Sequence, residues 1–291
     1  MSALNEALLR LVKLYPLYRG RGRLALSSLF RADITGPDGT IEVRLSSGEK
    51  IRVVEQDYIG RMVRLFGDLD PALSSVMRGI VGPGDWVIDV GANVGVMTLR
   101  AASLVGPAGQ VFAFEPVQQL CDLMRRSILD NGFGNVTVLQ VALSDHAGTG
   151  TMEVPDTYLG CSRLQEAGQG NGQRCEVKRL DDIDFGDAFA RPRLLKIDVE
   201  GHEGQVLAGG HHFFRAHRPD YVLFESHDDR GEFWKRPEIR LLRDADYEFS
   251  VVRRTAFGNP VLTKIRPQDT RFPAAYDFLA SSLPRKKRTT P

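Results

Sequence analysis

The stretch that decides the fold reads GDWVIDVGANVG at residues 84–95 and, after a helical segment, VFAFEP at residues 111–116. Residues 86–90 are a short apolar run with β-branched side chains, which is typical of a buried parallel strand. The GANVG turn then leads directly into residues 96–104, whose apolar side chains have helical spacing. A strand that turns into a helix through glycines brings backbone N–H groups close to a ligand. The stretch therefore predicts the ligand-binding half of a doubly wound α/β sheet.

Acidic residues at the two strand ends indicate which ligand this half-sheet binds. Glu115 ends the second strand, where its carboxylate can accept both hydroxyls of a ribose at the switch point of the sheet. Asn93 occupies the second glycine position of the G-x-G-x-x-G turn that a dinucleotide needs, and Asp89 would repel a pyrophosphate. The same acid suits the cationic amino-acid moiety of S-adenosylmethionine, which we expect in preference to a nicotinamide dinucleotide. A turn that only packs helix on strand would explain neither acid.

Three motifs make the sequence resemble the FkbM-type methyltransferases. They are VIDVGANVG at residues 87–95, FEP at 114–116 and LKIDVEGHE at 195–203, of which the last is the most particular to that family. The resemblance implies a Rossmann-like class I methyltransferase fold of the α/β class, with a mostly parallel seven-stranded sheet and helices on both faces. It also implies S-adenosylmethionine-dependent methylation of a hydroxyl on a sugar, glycan or secondary metabolite.

The motifs and the strand ends together supply the residues that we expect to bind the cofactor. In this fold the exit loop of the third strand, residues 142–145, lines the adenine, although a turn or cap role for Ser144 and Asp145 is equally open. The complete set is Asp89, Gly91, Ala92, Asn93, Gly95, Glu115, Ala142, Ser144 and Asp198.

Catalysis is expected at the same edge of the sheet, because all parallel strands present their carboxyl ends there. A sugar hydroxyl is a weak nucleophile, so a base or a metal must help to take its proton. In the preferred metal-free version Asp198 or His202 is the base and Lys196 orients it. In the alternative, Asp198 and Glu225 hold magnesium or calcium near His227. The candidate catalytic residues are Asp198, Lys196, Glu200, His202 and Glu225.

Composition narrows the class of partner and the compartment. The chain has 291 residues, a net charge of +1 and 42% hydrophobic residues, as an ordinary globular protein has. The small net charge gives no field that favours nucleic acid, and no apolar run approaches a membrane span. Three cysteines without metal-ligand spacing and the absence of a signal-peptide pattern favour a cytoplasmic protein that acts on a small molecule or a glycan.

The chain divides into three parts by pattern. Residues 1–80 are predicted as an accessory helix, hairpin and helix, residues 81–268 as the methyltransferase domain, and residues 269–291 as a tail. The domain carries an insertion at 146–190, whose Gly-, Gln- and Ser-rich centre we predict to be a substrate-covering lid. Deletion of residues 160–172 is expected to preserve cofactor binding and abolish transfer.

The N-terminus carries leucines at helical spacing, at positions 4, 8, 11 and 14. This pattern favours an amphipathic helix that docks on the domain or on a second copy in a homodimer. A membrane-surface helix with a basic flank is the alternative.

Two other functions compete with methyl transfer. A nicotinamide-dependent oxidoreductase is disfavoured by Asn93 and Asp89. A non-catalytic interaction module that keeps the fold should have lost its costly charged residues, yet all four remain: Lys196, Asp198, Glu200 and Glu225.

Overall fold

The structure is a computed structural model, and it describes most of the chain. The described residues are Val12, Tyr15 and residues 17–27, 39–155, 162–165, 172–186, 191–226, 233–269 and 277–283. Outside them lie most of the predicted N-terminal helix, the greater part of the predicted lid, His227 and the end of the predicted tail from residue 284 onward.

Eight helices and fourteen strands are considered below. The helices are α1 Arg21–Leu26, α2 Tyr58–Phe66, α3 Pro71–Ile80, α4 Val96–Val105, α5 Gln118–Asp130, α6 Glu203–Ala208, α7 His211–Ala216 and α8 Pro237–Asp244. The strands are β1 Thr40–Arg44, β2 Lys50–Val54, β3 Trp86–Val90, β4 Gln110–Phe114, β5 Val136–Leu139, β6 Ala142–Leu143, β7 Gly148–Glu153, β8 Arg163–Gln165, β9 Gln173–Lys178, β10 Leu194–Ile197, β11 Tyr221–Glu225, β12 Tyr247–Arg254, β13 Pro260–Ile265 and β14 Asp277–Ser282.

The main sheet confirms the predicted α/β fold, but it has eight strands rather than seven. Their order is β13-β12-β14-β11-β10-β3-β4-β5, and the five strands from β11 to β5 are parallel. Strand β14 runs antiparallel to both β11 and β12, so β12 has the direction of the parallel strands, and β13 runs against it. The sheet is therefore mostly parallel, with two antiparallel strands.

Strand β14 lies within the 269–291 segment that we predicted as a tail. Its residues Phe278, Leu279 and Ala280 are all buried, because helices or loops cover both faces of the sheet there. A three-residue apolar run has no periodicity that distinguishes it from a loop, so its pattern gave no signal. The sheet of the domain extends to Ser282 in consequence.

Apolar side chains from alternate positions of the strands pack on helices on both faces of the sheet. On one face Ile88 and Leu195 belong to a cluster with side chains of α6, α7 and α8. On the other face Val87 and Leu194 pack with side chains of α3 and α4. Residues 203–216 form two short helices, α6 and α7. At Gly209, between them, a Cβ would lie 2.0 Å from the carbonyl oxygen of Ser144.

The N-terminal residues and the insertion each form additional sheets against this core. The predicted hairpin is β1–β2, and Ile51 and Val53 share a core with Leu120 of α5. Three strands of the insertion, β7, β8 and β9, join β6 in a four-stranded sheet of order β6-β9-β7-β8.

Arg100 on α4 fixes the N-terminal residues to the domain. Its fully buried guanidinium lies 3.0 Å from the Asp68 carboxylate, donates to Ser47 at 3.1 Å, and also contacts Ser74. The hairpin and the loop at 67–70 are thereby held against the carboxyl edge of the main sheet.

Candidate active site

The turn after β3 is shaped by close contact with the loop after β10. Gly91 has a φ of 73°, and a Cβ there would lie 1.9 Å from the carbonyl oxygen of Asp198. The Asp198 N–H donates to the Val90 carbonyl at 3.1 Å. Only glycine allows this approach, which brings Asp198 onto the turn.

The five successive N–H groups of this turn all donate within the protein. Those of Gly91 and Ala92 donate to the Phe114 carbonyl, each at 3.0 Å. The N–H of Asn93 donates to the Glu115 carboxylate at 2.9 Å, the N–H of residue 94 donates to the Asn93 side chain, and that of Gly95 donates to the Ala92 carbonyl. A pyrophosphate would find none of these five donors free, although free donors are what a dinucleotide turn offers.

Glu115 is held by backbone donors on both carboxylate oxygens. Its Oε2 accepts from the Asn93 N–H at 2.9 Å, and its Oε1 accepts from the Val117 N–H at 3.0 Å. Burial raises the pKa of this carboxyl to about 7, although both N–H groups favour the charged form. Each oxygen keeps a further lone pair, so the carboxylate can accept two neighbouring hydroxyls.

Asp89 lies beneath the turn and forms a buried charge cluster with Lys196. Its Oδ2 accepts from the Thr98 hydroxyl at 2.6 Å, and its Oδ1 lies 3.2 Å from the Lys196 ammonium. Asp89 has no exposed surface. We predicted that Asp89 contacts the cofactor, but burial leaves it no surface for such a contact, and its observed partner is Lys196.

Lys196 connects this buried acid to an exposed one. Its ammonium donates to the Gly91 carbonyl at 2.9 Å and lies 3.5 Å from the Asp198 carboxylate. Burial alone would lower the pKa of Lys196, but Asp89 and Asp198 more than offset this and raise it. Lys196 is therefore a permanent cation, and the Asp198 side chain beside it is 44% exposed.

Two bordering chambers open along this edge of the sheet. We call them the Glu115 chamber, with about 550 Å³ of empty space, and the Lys196 chamber, with about 620 Å³. Gly91, Asn93, Asp198 and Glu200 line both chambers, so the two adjoin at these residues, and we call the pair the cleft.

The structure brings most of the predicted cofactor residues to this cleft. Glu115 and Ala142 line the Glu115 chamber, and Ala92 lines the Lys196 chamber. Gly95 and Ser144 line neither chamber. Gly95 has a φ of 92° and a Cβ there would lie 2.8 Å from the Met124 side chain, so its place is in helix packing.

The predicted catalytic residues are divided between the chambers. Asp198 and Glu200 border both, Lys196 borders only its own chamber, and His202 borders only the Glu115 chamber. Glu225 borders neither. Burial raises the pKa of Glu225 to about 8, and Asp198 adds to the effect.

Glu203 holds the loop that carries these residues. Its buried carboxylate accepts from the N–H groups of Val199 and Gly201 at 3.0 and 3.2 Å. Glu200 within the loop has a φ of 56°, a conformation that an L-residue adopts only when its surroundings impose it. We had not assigned Glu203 a role, and a glutamate at the start of a helix gives only a weak signal of one.

Side chains from the N-terminal residues and from the insertion complete the walls. Ile59 and Leu69 line the Lys196 chamber, whereas Met152 and Leu164 line the Glu115 chamber. We predicted the insertion to be a lid over the substrate, and the described part of it borders the chamber that holds Glu115.

Metal ligands and membrane spans were also sought among the described residues. Within that part of the chain, no group of three or more His, Cys, Asp or Glu side chains could hold a metal ion. His227, which we expected near such a metal, lies outside it. The described helices are each too short or too polar to cross a lipid bilayer.

The family model described as "Methyltransferase FkbM domain" matches residues 89–249, which is more than half of the chain. The chain belongs to the FkbM methyltransferase family.

Named relatives agree with this assignment. Methyltransferase sdnD of Sordaria araneosa is 31% identical over 60% of this chain and 77% of its own length. The 31-O-demethyl-FK506 methyltransferase FkbM of Streptomyces tacrolimicus is 32% identical over 44% of this chain and 60% of its own length. Hexuronic acid methyltransferase AglP of Haloferax volcanii is 28% identical over 49% of this chain and 56% of its own length. The chain thus spans less than two thirds of the length of the FkbM and AglP relatives.

Proposed function

We propose that this protein transfers a methyl group from S-adenosylmethionine to a hydroxyl of a sugar, glycan or secondary metabolite. The observation that carries the proposal is the pair of adjoining chambers, with a buried, preoriented carboxylate at Glu115 and an exposed acid at Asp198. The names of the FkbM and AglP relatives support an acceptor of this kind.

The side chains that line the Glu115 chamber suit an adenosine. Glu115 offers a buried carboxylate whose two oxygens are already oriented by backbone donors, as recognition of a ribose diol requires. Leu120, Leu143, Met152 and Leu164 supply apolar walls around it, which suit a flat purine. The five engaged N–H groups of the turn disfavour the nicotinamide alternative, because a pyrophosphate would have to displace them.

Asp198 is positioned to act on the acceptor. S-adenosylmethionine, when bound, supplies an electrophilic methyl group, so the protein must place a hydroxyl oxygen in line and accept its proton. Such positioning can supply about 7–11 kcal/mol of the barrier. The half-exposed carboxylate of Asp198 borders both chambers and accepts the proton, while the Lys196 ammonium 3.5 Å away orients it.

A turnover assay tests the proposal. Purified protein is incubated with methyl-labelled S-adenosylmethionine and a panel of saccharides and polyketide alcohols, before and after treatment with a chelator. We expect label on an acceptor oxygen and undiminished turnover after chelation. Activity lost on chelation and restored by magnesium would replace the metal-free version by the metal version. Label on nitrogen or carbon would contradict transfer to a hydroxyl.

A further inference from the structure

His202 lies at the nucleoside end of the cleft. It borders the Glu115 chamber together with Ala142 and Leu143 of β6. It does not border the Lys196 chamber, where Lys196 meets Asp198. We infer that His202 binds the nucleoside of the cofactor and is positioned for this by Ser144, and that it is not the general base. The inference rests on the proposed binding of S-adenosylmethionine.

Ser144 fixes the imidazole of His202 from behind. The serine has no exposed surface, and its hydroxyl oxygen lies 2.8 Å from Nε2 of His202. Its own N–H donates to the Lys178 carbonyl at 2.9 Å, so the serine is anchored to β9 of the four-stranded sheet. Ser144 thus links the exit of β6 to the loop after β10, two elements that enclose the same chamber.

The hydrogen bonds of Ser144 also select the tautomer of His202. The single hydroxyl proton donates to Oδ1 of Asp145 at 3.2 Å. The hydroxyl oxygen is therefore left to accept, and Nε2 of His202 must carry the proton that it accepts. Burial lowers the pKa of His202, which favours the neutral ring. Nδ1 then remains as an acceptor. It suits an N–H or O–H donor, such as the amino group of adenine or a hydroxyl of ribose.

This arrangement does not suit a general base for the acceptor. Nε2 is already engaged with Ser144, and the ring borders only the Glu115 chamber, away from the chamber in which Lys196 meets Asp198. Two acids, Asp198 and Glu200, border both chambers, and Asp198 is the one whose carboxylate lies 3.5 Å from the Lys196 ammonium.

Calorimetry with adenosine and S-adenosylmethionine tests the inference without an identified acceptor. We expect His202→Ala to weaken both ligands about tenfold, the scale of one net hydrogen bond with its contact. His146→Ala is the matched control, because this exposed histidine lies 3.4 Å from the same serine hydroxyl without bordering the cleft. It should bind both ligands as the wild type does.

Unchanged affinity of a folded His202→Ala protein would overturn the inference and return His202 to the list of candidate bases. An equal loss of affinity in His146→Ala would also overturn it. The effect would then come from a disturbance of the loop at 144–146 and not from contact between His202 and the nucleoside. If the wild-type protein binds neither ligand, the proposed function itself fails, and that result is distinct from both.

A double-mutant cycle tests the positioning role of Ser144. Ser144→Ala should weaken adenosine about threefold in the wild-type background and have no further effect in His202→Ala. Equal effects in both backgrounds would show that Ser144 acts independently of His202. The ¹⁵N spectrum gives a second measure, in which His202 should show a protonated Nε2 that Ser144→Ala shifts toward the other tautomer.

Discussion

The two chambers of the cleft differ in how their charges are held. In the Glu115 chamber the carboxylate is fixed by two backbone N–H groups and surrounded by apolar walls. In the Lys196 chamber a single buried ammonium pairs with one buried and one exposed acid. The first arrangement is preorganised to recognise a ligand, and the second places an exposed carboxylate beside a fixed ammonium. Binding and proton transfer are therefore separable by mutation.

The largest effect is expected from the buried charge cluster. Lys196→Met would leave Asp89 fully buried without its cation, at a cost of about 3–5 kcal/mol in unfolding free energy. Urea unfolding measures this. Lys178→Met removes an exposed lysine paired with Glu176 and should change stability by less than about 0.5 kcal/mol. Similar small losses in both variants would contradict the buried role of Asp89.

Asp198→Asn should separate catalysis from binding. We expect S-adenosylmethionine affinity within about twofold of the wild type and turnover lower by about a hundredfold or more, as loss of a proton acceptor implies. Asp122→Asn, on the exposed side of α5, serves as the control. Near-normal turnover of Asp198→Asn on the best acceptor of the panel would remove this residue from the mechanism.

Cofactor affinity should depend on pH through Glu115. Its pKa of about 7 in the free protein means that the carboxylate, which accepts the ribose hydroxyls, forms as pH rises through 7. Affinity should rise about tenfold between roughly pH 6 and 8, and Glu115→Gln should abolish the dependence. The same raised pKa stabilises the empty fold below about pH 4.5, and this contribution is lost as pH rises through 7. A flat affinity profile in the wild type would contradict the shifted pKa.

The smallest effects on adenosine affinity are expected from the apolar walls of the two chambers. Leu164→Ala should weaken adenosine about threefold, because it removes apolar contact worth roughly 0.6 kcal/mol from the Glu115 chamber. Leu69→Ala, in the other chamber, should leave adenosine unaffected. Equal losses would mean that the chambers do not separate nucleoside from acceptor. The same geometry revises our expectation for the 160–172 deletion, which should weaken the cofactor because it removes Leu164.

Local pattern predicted the centre of the fold, and long-range packing determined the rest. The strand, turn and helix from Trp86 to Val105 and the placement of Glu115 depend on neighbours in sequence, so the sequence was sufficient there. The partner of Asp89 is Lys196, more than a hundred residues away, and its burial is invisible in a linear pattern. The sequence likewise grouped His202 with the acids that precede it, whereas the fold turns it toward β6. Strand β14 was missed because its apolar run is too short to show a period.

The central claim is that the Glu115 chamber binds S-adenosylmethionine, and isothermal titration of the folded protein with S-adenosylmethionine and with NADH tests it most directly. We expect the wild type to bind S-adenosylmethionine and not NADH, and Glu115→Ala to lose about ten- to a hundredfold in affinity, or about 1.5–3 kcal/mol. Glu176→Ala, an exposed glutamate of β9, should bind as the wild type does. Preferential binding of NADH, or unchanged affinity in a folded Glu115→Ala protein, would contradict the account.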